Sequence, residues 1–314
     1  MRWAVEAWAP EYGAPASELD LEQSDATVDA GVELASEQWR PLRSDAAPAP
    51  VVQFVDGVRR IDATLWITGA DGQPRPGIAA SYAAGIVRCD GAATVEDCQV
   101  RRTVFSSAPE LTDVTTRHGV WRATEVASDG IDQAVLKLQE EMGALEQLMA
   151  VRAPAADLLV TDGPLRKLVT AAHAIGAIKS HRRTYLPPEL AGVVAALRPA
   201  ERTPLFRTLK PWSRYSWYLR LPTSAGPPGH PWSGVIRAEA SGELSLSRAL
   251  ELAELASATL PRFASASHKD PRAPQNLYPI AGLERRLRHQ LGDARLALRA
   301  LQEASARQVA PEAV

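Results

Sequence analysis

The chain has 314 residues, and its 35 Lys and Arg residues against 37 Asp and Glu residues give a formal net charge of −2. A hydrophobic fraction of 46% and a charged fraction of 23% predict an ordinary globular protein. Two cysteines, Cys89 and Cys98, are too few for a disulfide framework or a Cys-rich zinc site. No apolar run approaches the roughly 20 residues of a membrane-spanning helix, and no signal peptide is evident. We therefore expect a soluble, cytoplasmic protein.

Charge is strongly segregated along the chain. Residues 1–49 carry ten acidic and three basic residues, a local net charge of −7, whereas residues 179–220 carry nine basic and two acidic residues, a local net charge of +7. The basic segment also contains Trp212, Tyr215, Trp217 and Tyr218. Cations that follow phosphates and rings that stack on bases suit a nucleic acid single strand. The alternative is a solvated basic face over a core of aromatic residues.

The first third of the chain is predicted to be mostly β-structure. An acidic leader comes first, in which residues 26–38 predict one helix, and an Ala- and Pro-rich linker follows at 46–50. Runs of β-formers then predict strands at 51–55, 61–68, 78–88 and 98–105, in an antiparallel meander. The Asp56-Gly57 pair predicts a break between the first two of these strands.

The apolar period changes near residue 130. Apolar side chains at intervals of three and four predict a long amphipathic helix over 130–151. A strand at 157–161, a helix at 165–174 and a strand at 175–178 then predict a parallel part of the sheet with crossover connections. Strands at 217–221 and 234–240 predict a hairpin, and residues 244–259 and 283–306 predict helices. The predicted fold class is α/β, with a mixed sheet flanked by helices.

Two acidic residues occupy the same local setting. Asp56 and Asp162 each end an apolar run and each precede a glycine. A turn is the ordinary interpretation of one such pair, but two in one sheet favour a shared site at the edge where ligands collect. Converging carboxylates repel each other unless a cation lies between them, so the expected ligand is Mg²⁺ or Mn²⁺.

A third acid is expected from the helix at 130–151. Glu140, Glu141 and Glu146 are candidates, and Glu146 lies among apolar positions, where an unpaired acid would be costly. An ordinary amphipathic helix face is the alternative for all three. Lys179 ends the strand at 175–178 and is placed to meet a phosphate, unless it is a surface lysine.

Several stretches, taken in order over residues 51–300, resemble the NurA family of nucleases. None is specific by itself, so the resemblance rests on the ordered set. The set comprises Val-Asp56-Gly, Leu145-Glu146, Leu-Leu-Val-Thr-Asp162-Gly-Pro-Leu, Ile-Gly-Ala-Ile-Lys179-Ser, Trp217-Tyr-Leu-Arg220-Leu, Val-Ile-Arg237-Ala-Glu239 and Pro274-Gln-Asn-Leu-Tyr-Pro279.

The resemblance implies an RNase H-like nuclease domain at 50–314, with C-terminal helices, after an acidic and partly helical N-terminal extension at 1–49. It implies Mn²⁺-dependent, and alternatively Mg²⁺-dependent, single-strand endonuclease and 5′-to-3′ exonuclease activity, with two metal ions per active site. It further implies a homodimer that acts with a HerA-type hexameric helicase in DNA end resection, double-strand break repair and homologous recombination. Such a protein would be nucleoid-associated in the cytoplasm.

The resemblance also implies roles for particular residues. Asp56, Glu146 and Asp162 would bind the metal ions, with Glu141 as the alternative to Glu146, and Lys179 would be catalytic. The family has a His after its Tyr-Pro motif, where this chain has Arg286. We take Asp270 as the replacement ligand, in preference to His268 and His289. The expected DNA contacts are Arg182, Arg183, Arg214, Trp217, Arg220 and Arg237.

Two other functions remain open at this point. A catalytically inactive DNA-binding or helicase-adaptor subunit would explain Arg286 in place of the His. A small-molecule phosphatase would use the same carboxylates but would have no need of the basic segment. The acidic leader either masks a basic groove until a partner displaces it or serves as a solvated arm of a dimer.

Overall fold

The computed structural model describes residues 27–68, 71–166, 171–180, 185–209, 212–223 and 232–309. These residues form a mixed α/β fold in which a large mixed sheet is flanked by helices. The predicted fold class is thus confirmed at this level, whereas the RNase H-like assignment stays a prediction.

Thirteen strands are found in the described residues. They are β1 (Val28–Asp29), β2 (Leu42–Arg43), β3 (Val52–Thr68), β4 (Pro74–Cys89), β5 (Ala93–Ser106), β6 (Val114–Thr116), β7 (Gly119–Glu125), β8 (Leu158–Asp162), β9 (Ala174–Ile178), β10 (Glu201–Arg202), β11 (Phe206–Thr208), β12 (Arg214–Arg220) and β13 (Val235–Ser241). The predicted strands at 78–88, 98–105, 157–161 and 175–178 are confirmed by β4, β5, β8 and β9.

Five α-helices are found in the same residues. They are α1 (Ile131–Arg152), α2 (Pro188–Ala196), α3 (Leu246–Thr259), α4 (Tyr278–Gln290) and α5 (Ala294–Val309), and two short 3-10 helices lie at Ser36–Gln38 and Leu260–Phe263. The predicted helices at 130–151 and 244–259 are confirmed by α1 and α3. None of these described helices combines the length and the apolar character that crossing a membrane requires.

The chain divides into two compact units. The first comprises Met1–Val55, Ile86–Val95 and Ala150–Gly282, and the second comprises Asp56–Gly85, Glu96–Met149 and Leu283–Val314. The predicted boundary between an extension at 1–49 and a nuclease domain at 50–314 stays a prediction.

In the first unit the strands lie in the order β1-β11-β12-β13-β9-β8-β3. β8 is parallel to both β9 and the first residues of β3, which confirms the predicted parallel part of the sheet. β12 and β13 pair antiparallel over their whole length, which confirms the predicted hairpin. A buried cluster packs α2 against this sheet through Leu190, Val194, Phe206, Tyr218 and Val235.

In the second unit the strands lie in the order β3-β4-β5-β7-β6, and β5 is parallel to β7. Ala297 and Leu301 of α5 pack with Ala79, Val104 and Trp121 in a buried cluster. This apolar contact fixes the C-terminal helix to the strands.

The predicted break at Asp56-Gly57 is wrong, because both residues lie inside the 17-residue strand β3. Gly57 does not adopt the positive φ angle that an Asp-Gly turn commonly needs. β3 has a neighbouring strand on each side, β8 and β4, and pairing on both sides holds this backbone extended.

The predicted helix at 26–38 is also wrong for the residues that are described. Val28 pairs with Thr208 of β11, and within the described residues 27–38 the only helical ones are the three of Ser36–Gln38. β2 likewise pairs with a strand that is distant in sequence, since Leu42 pairs with Arg202 of β10. Pairing with distant strands has therefore overridden the local helical preference. The leader before residue 27 lies outside the described residues.

Two further helix predictions need correction. Of the predicted helix at 165–174, residues 167–170 lie outside the described residues, and the described residues around them are not helical. The predicted helix at 283–306 is two helices, because α4 ends before Gly292, which has a φ of +77°. Asp293 then caps α5 by accepting hydrogen bonds from the backbone N–H groups of Arg295 and Leu296.

Candidate metal centre

Three carboxylates converge in the structure. Asp56, Asp162 and Glu284 each present one oxygen atom, and these three atoms lie within 4.8 Å of one another. Asp56 and Glu284 are buried, and Asp162 is partly buried. The predicted convergence of Asp56 and Asp162 is therefore found, but the third acid is one that the sequence analysis did not name.

The register of β3 and β8 explains how the two aspartates come together. The strands are parallel and their residues pair in step from Val52 with Leu158 to Val55 with Thr161. Asp56 and Asp162 are the next residues of the two strands. Directly opposed residues of a parallel pair point to the same face of the sheet, so both carboxylates leave the sheet on one side.

Glu284 is held by the apolar stripe of α4. Ile280, Leu283 and Leu287 are all buried, at the helical spacing of three and four residues, and so is Leu291 directly after the helix. Glu284 follows Leu283 at the edge of this stripe and is itself buried. It lies in the Tyr-Pro segment, two residues before Arg286, where the family resemblance leads one to expect a His. In the sequence, the only feature that marks Glu284 is that it is the single acid of an otherwise basic helix.

Glu146 lies beside β3 but is not one of the three converging acids. A Cβ atom built on Gly57 would stand 2.6 Å from Glu146 Oε1, so the missing side chain of Gly57 makes room for this carboxylate. Glu140 and Glu141 instead pair with Lys137, at 3.2 Å and 3.4 Å, on the partly exposed surface of α1. Glu284 is thus the third acid of the converging group, and the role of Glu146 as a metal ligand stays a prediction.

Lys179 is a buried residue of this centre. Its Nζ atom donates hydrogen bonds to Asp162 Oδ2 at 2.6 Å and to Asn276 Oδ1 at 2.7 Å. The surface-lysine alternative is therefore excluded. A lysine cation at this distance reduces the repulsion among the carboxylates and holds the Asp162 side chain in one orientation.

Asp270, the predicted replacement ligand, lies outside the carboxylate triad. Its Oδ2 atom accepts a hydrogen bond from Asn276 Nδ2 at 2.7 Å, and its Oδ1 atom accepts one from the backbone N–H of Arg272 at 2.7 Å. Asn276 is fully buried. A continuous chain of hydrogen bonds thus runs from Asp270 through Asn276 and Lys179 to Asp162. His268 and His289 are exposed and also lie outside the triad.

Hard divalent cations fit this set of donors. Mg²⁺ and Mn²⁺ prefer oxygen ligands, and the triad offers three carboxylates and no soft ligand. With Asp56, Asp162, Glu284 and Lys179 all ionised, the group carries two net negative charges, which one divalent cation neutralises. The number of two metal ions per site stays a prediction.

Arg214 and Arg220, two of the arginines predicted to contact DNA, are partly buried and bind backbone carbonyls. Arg214 donates to the backbone carbonyl of Leu165 at 2.8 Å. Arg220 donates to the carbonyls of Ser233, Val194 and Ala195, and the last two lie in the final turn of α2. Such contacts stabilise a helix C-terminus.

Arg237 and Trp217 are buried. Arg237 donates to Glu239 Oε1 at 2.8 Å, and its guanidinium lies 4.0 Å from the centre of the Tyr185 ring. Burial opposes the charge of Arg237, but Glu239 and the neighbouring tyrosines outweigh it and raise the arginine pKa. Trp217 is fully buried, so its ring presents no face to a nucleic acid base. Both observations argue against the predicted DNA contacts. Arg182 and Arg183 lie outside the described residues.

Comparison with protein-family models gives no match for this chain, and comparison with curated proteins gives none either. The resemblance to the NurA nucleases therefore rests on the sequence motifs alone.

Proposed function

We propose that this chain is a metal-dependent deoxyribonuclease of the NurA type, with Mn²⁺ or Mg²⁺ bound by Asp56, Asp162 and Glu284. The observation that supports the proposal most is the convergence of these carboxylates next to the buried ammonium of Lys179. Acids on two adjacent parallel strands and on a later helix form the kind of oxygen-rich site that phosphodiester hydrolysis uses.

A bound divalent ion would supply a water molecule of lowered pKa and a positive charge for the developing phosphorane oxygens. The residues of the chain hold and orient this site. Asp56 and Asp162 are positioned by the β3–β8 pairing, and Glu284 is positioned by the buried stripe of α4. Lys179 fixes one oxygen of Asp162, so the structure supports a positioning role for it beside the predicted contact with a phosphate.

The wider assignment rests on the resemblance. It comprises single-strand endonuclease and 5′-to-3′ exonuclease activity, a homodimer, and action with a HerA-type hexameric helicase in DNA end resection and double-strand break repair. It also includes a location at the nucleoid. An assay on end-labelled single- and double-stranded DNA, with and without such a helicase, tests these statements together.

The site assignment is tested by Asp56→Asn, Asp162→Asn and Glu284→Gln. Each change keeps the size of the side chain but removes a charge that would bind the metal ion. We expect a loss of Mn²⁺-dependent DNA cleavage larger than the roughly 10- to 100-fold that changes around a metal site commonly cause. Release of labelled fragments from single-stranded DNA is the measurement.

Glu140→Gln is the matched control, because Glu140 is an exposed acid paired with Lys137 on α1. It should cleave at the wild-type rate. Glu146→Gln separates the predicted ligand set from the observed one. Full activity of Glu284→Gln together with loss of activity in Glu146→Gln would show that the observed triad is not the working site.

The presence of Arg286 where the family has a His supports a second candidate, a catalytically inactive DNA-binding or adaptor subunit. That protein would bind DNA in a salt-dependent manner but would cleave nothing with any divalent metal. A small-molecule phosphatase would instead hydrolyse p-nitrophenyl phosphate and leave DNA intact.

A further inference from the structure

One side of α4 is exposed and basic. Tyr278, Arg285, Arg286, Arg288 and His289 are exposed along two to three turns, and we name these five residues the α4 face. The only acid in α4 is Glu284, and it is buried. The α4 face therefore presents three arginine cations with no acidic residue of the same helix among them.

The arginines of the α4 face follow Glu284 of the carboxylate triad directly along the helix. Successive residues of an α-helix are about 100° apart, and each turn rises about 5.4 Å. Arg288 is four residues after Glu284, so it lies about one turn further along nearly the same side of the helix. Arg285 directly follows Glu284 in the sequence and lies about 100° from it around the helix axis. A chain of phosphates lying on this face would thus lead to Glu284.

The arginines of the α4 face form no ion pair or hydrogen bond through their side chains with the described residues. This distinguishes them from the arginines of the predicted basic segment, such as Arg214 and Arg220, whose guanidinium groups bind backbone carbonyls. Free guanidinium groups keep their donors available for phosphate oxygens. The α4 face therefore offers unpaired arginines, whereas Arg214 and Arg220 of the predicted basic segment are paired.

Tyr278 adds an aromatic surface at the start of the α4 face. The residue is 38% exposed, and the ammonium of Lys269 lies 5.4 Å from its ring centre. An exposed ring among cations suits an unpaired base next to its phosphates. An acidic peptide would use the cations but would have no need of the neighbouring carboxylate triad.

We propose that the α4 face binds the sugar-phosphate backbone of single-stranded DNA and leads the strand to the carboxylate triad. The identity of the bound molecule as the substrate rests on the proposed function. Binding itself does not, because the cations and the ring act without a metal ion.

The test is the salt dependence of binding to a short fluorescein-labelled single-stranded DNA, followed by fluorescence anisotropy with EDTA present. The variant combines Arg285→Ala, Arg286→Ala and Arg288→Ala. Each phosphate contact on a single strand contributes about 0.7 to the slope of log K against log salt concentration. Loss of three contacts should make this negative slope shallower by about 2 and should weaken binding at about 50 mM salt.

The matched control removes three arginines from the neighbouring helix, in the combination Arg295→Ala, Arg299→Ala and Arg307→Ala. It loses the same charge, from exposed positions of α5. We expect it to keep most of the wild-type slope. Replacing the three arginines of α4 by lysines should restore the slope, since lysine keeps the charge. A wild-type slope in the α4 alanine variant, or equal losses in both alanine variants, would overturn the inference.

The outcome is separable from that of the proposed function. Glu140→Gln in EDTA should bind the labelled DNA as the wild type does, since it retains the α4 face and changes only an exposed acid of α1. If the wild type cleaves DNA while the α4 alanine variant keeps the full slope, only the inference fails. If the α4 variant loses binding and the wild type cleaves nothing with Mn²⁺ or Mg²⁺, the inference holds and the nuclease assignment fails.

Discussion

At the scale of single residues, the centre depends on side chains that do not touch the metal position. Asn276 accepts a hydrogen bond from Lys179 and donates one to Asp270, and all three residues are buried. Its amide is suited to this place because it offers a donor and an acceptor at once. Asn276 therefore links Lys179 on one side to Asp270 on the other.

Asn276→Leu should weaken both stability and metal binding. Lys179 and Asp270 each lose one of their hydrogen bonds, and a hydrogen bond to a charged group contributes about 1.5–3 kcal/mol, so the free energy of unfolding should fall by several kcal/mol. Loss of a residue that orients a ligand commonly costs 10- to 100-fold in metal affinity. Urea unfolding measures the first effect, and Mn²⁺ titration by calorimetry measures the second.

Gln275→Leu is the control for this prediction. Gln275 is the adjacent buried amide, and it donates to the carbonyl of Val235 rather than to the lysine. It should lower stability without changing the Mn²⁺ affinity. Equal Mn²⁺ affinities for wild type and Asn276→Leu would contradict a positioning role for Asn276.

At the scale of elements, local sequence rules gave the regular segments and missed the positions where distant strands decide. The apolar periods of α1 and α3 and the β-formers of β8 and β9 predict these elements because each buries one side or both sides along its whole length. The Asp56-Gly57 pair has the chemistry of a turn, but pairing of β3 on both sides makes it part of a strand. Residues 26–38 changed from a predicted helix for the same reason, since β1 pairs with β11.

Two of the three acids of the candidate site could be predicted, because they stand at the ends of apolar runs in the sequence. Asp56 and Asp162 are found from sequence because each comes directly after an apolar run. Glu284 could not be found in that way, because its position depends on how α4 packs. Only the isolation of one acid among basic residues marks it, and that pattern is also common on solvated helices.

The N-terminus of α5 provides a prediction about pH. Hydrogen bonds from the N–H of Leu296, and then from that of Arg295, lower the pKa of Asp293 below its ordinary value of 3.8. Because folding lowers this pKa, the ionised cap contributes stability above about pH 3.8, and the contribution is lost as pH falls through the folded-state value. The helix dipole favours a negative charge at this end.

Asp293→Asn keeps a capping side chain but removes the charge. At pH 7 we expect its thermal midpoint to be below that of the wild type, and we expect the gap to close as the pH is lowered below 3.8. Thermal unfolding followed by circular dichroism from neutral to acidic pH measures this. A gap that does not change with pH would mean that the carboxylate charge contributes nothing to the cap.

At the scale of the whole molecule, the net charge of −2 says little about the surface. Several acids are buried, among them Asp56, Glu284 and the Glu239 partner of Arg237, and they do not contribute to an exposed acidic surface. Many arginines of the predicted basic segment are likewise engaged inside the protein. Burial and pairing therefore decide which arginines are exposed and unpaired, and Arg285, Arg286 and Arg288 of α4 are among them.

The described part of the acidic leader belongs to the folded structure. Glu33 accepts hydrogen bonds from Arg202 through both carboxylate oxygens, each at 2.8 Å, and its Oε2 atom also accepts one from the N–H of Leu205. Arg202 is buried and has Glu254 as its second acidic partner. Burial opposes the charge of Arg202, but the two glutamates outweigh it and raise the arginine pKa. These contacts extend across about 170 residues of sequence.

Glu33→Ala should therefore destabilise the protein much more than removal of an ordinary surface acid. Removing one partner of a buried ion pair costs about 3–5 kcal/mol, and the remaining Glu254 should reduce this cost to the lower end of that range. Glu37→Ala is the control, since Glu37 is exposed in the same leader, and surface changes of this kind cost within about 0.5 kcal/mol. Urea unfolding of both variants makes the comparison. Equal unfolding free energies would mean that the leader is a solvated arm after all, whereas a large difference for Glu33→Ala would show that residues 27–49 help to hold the sheet together.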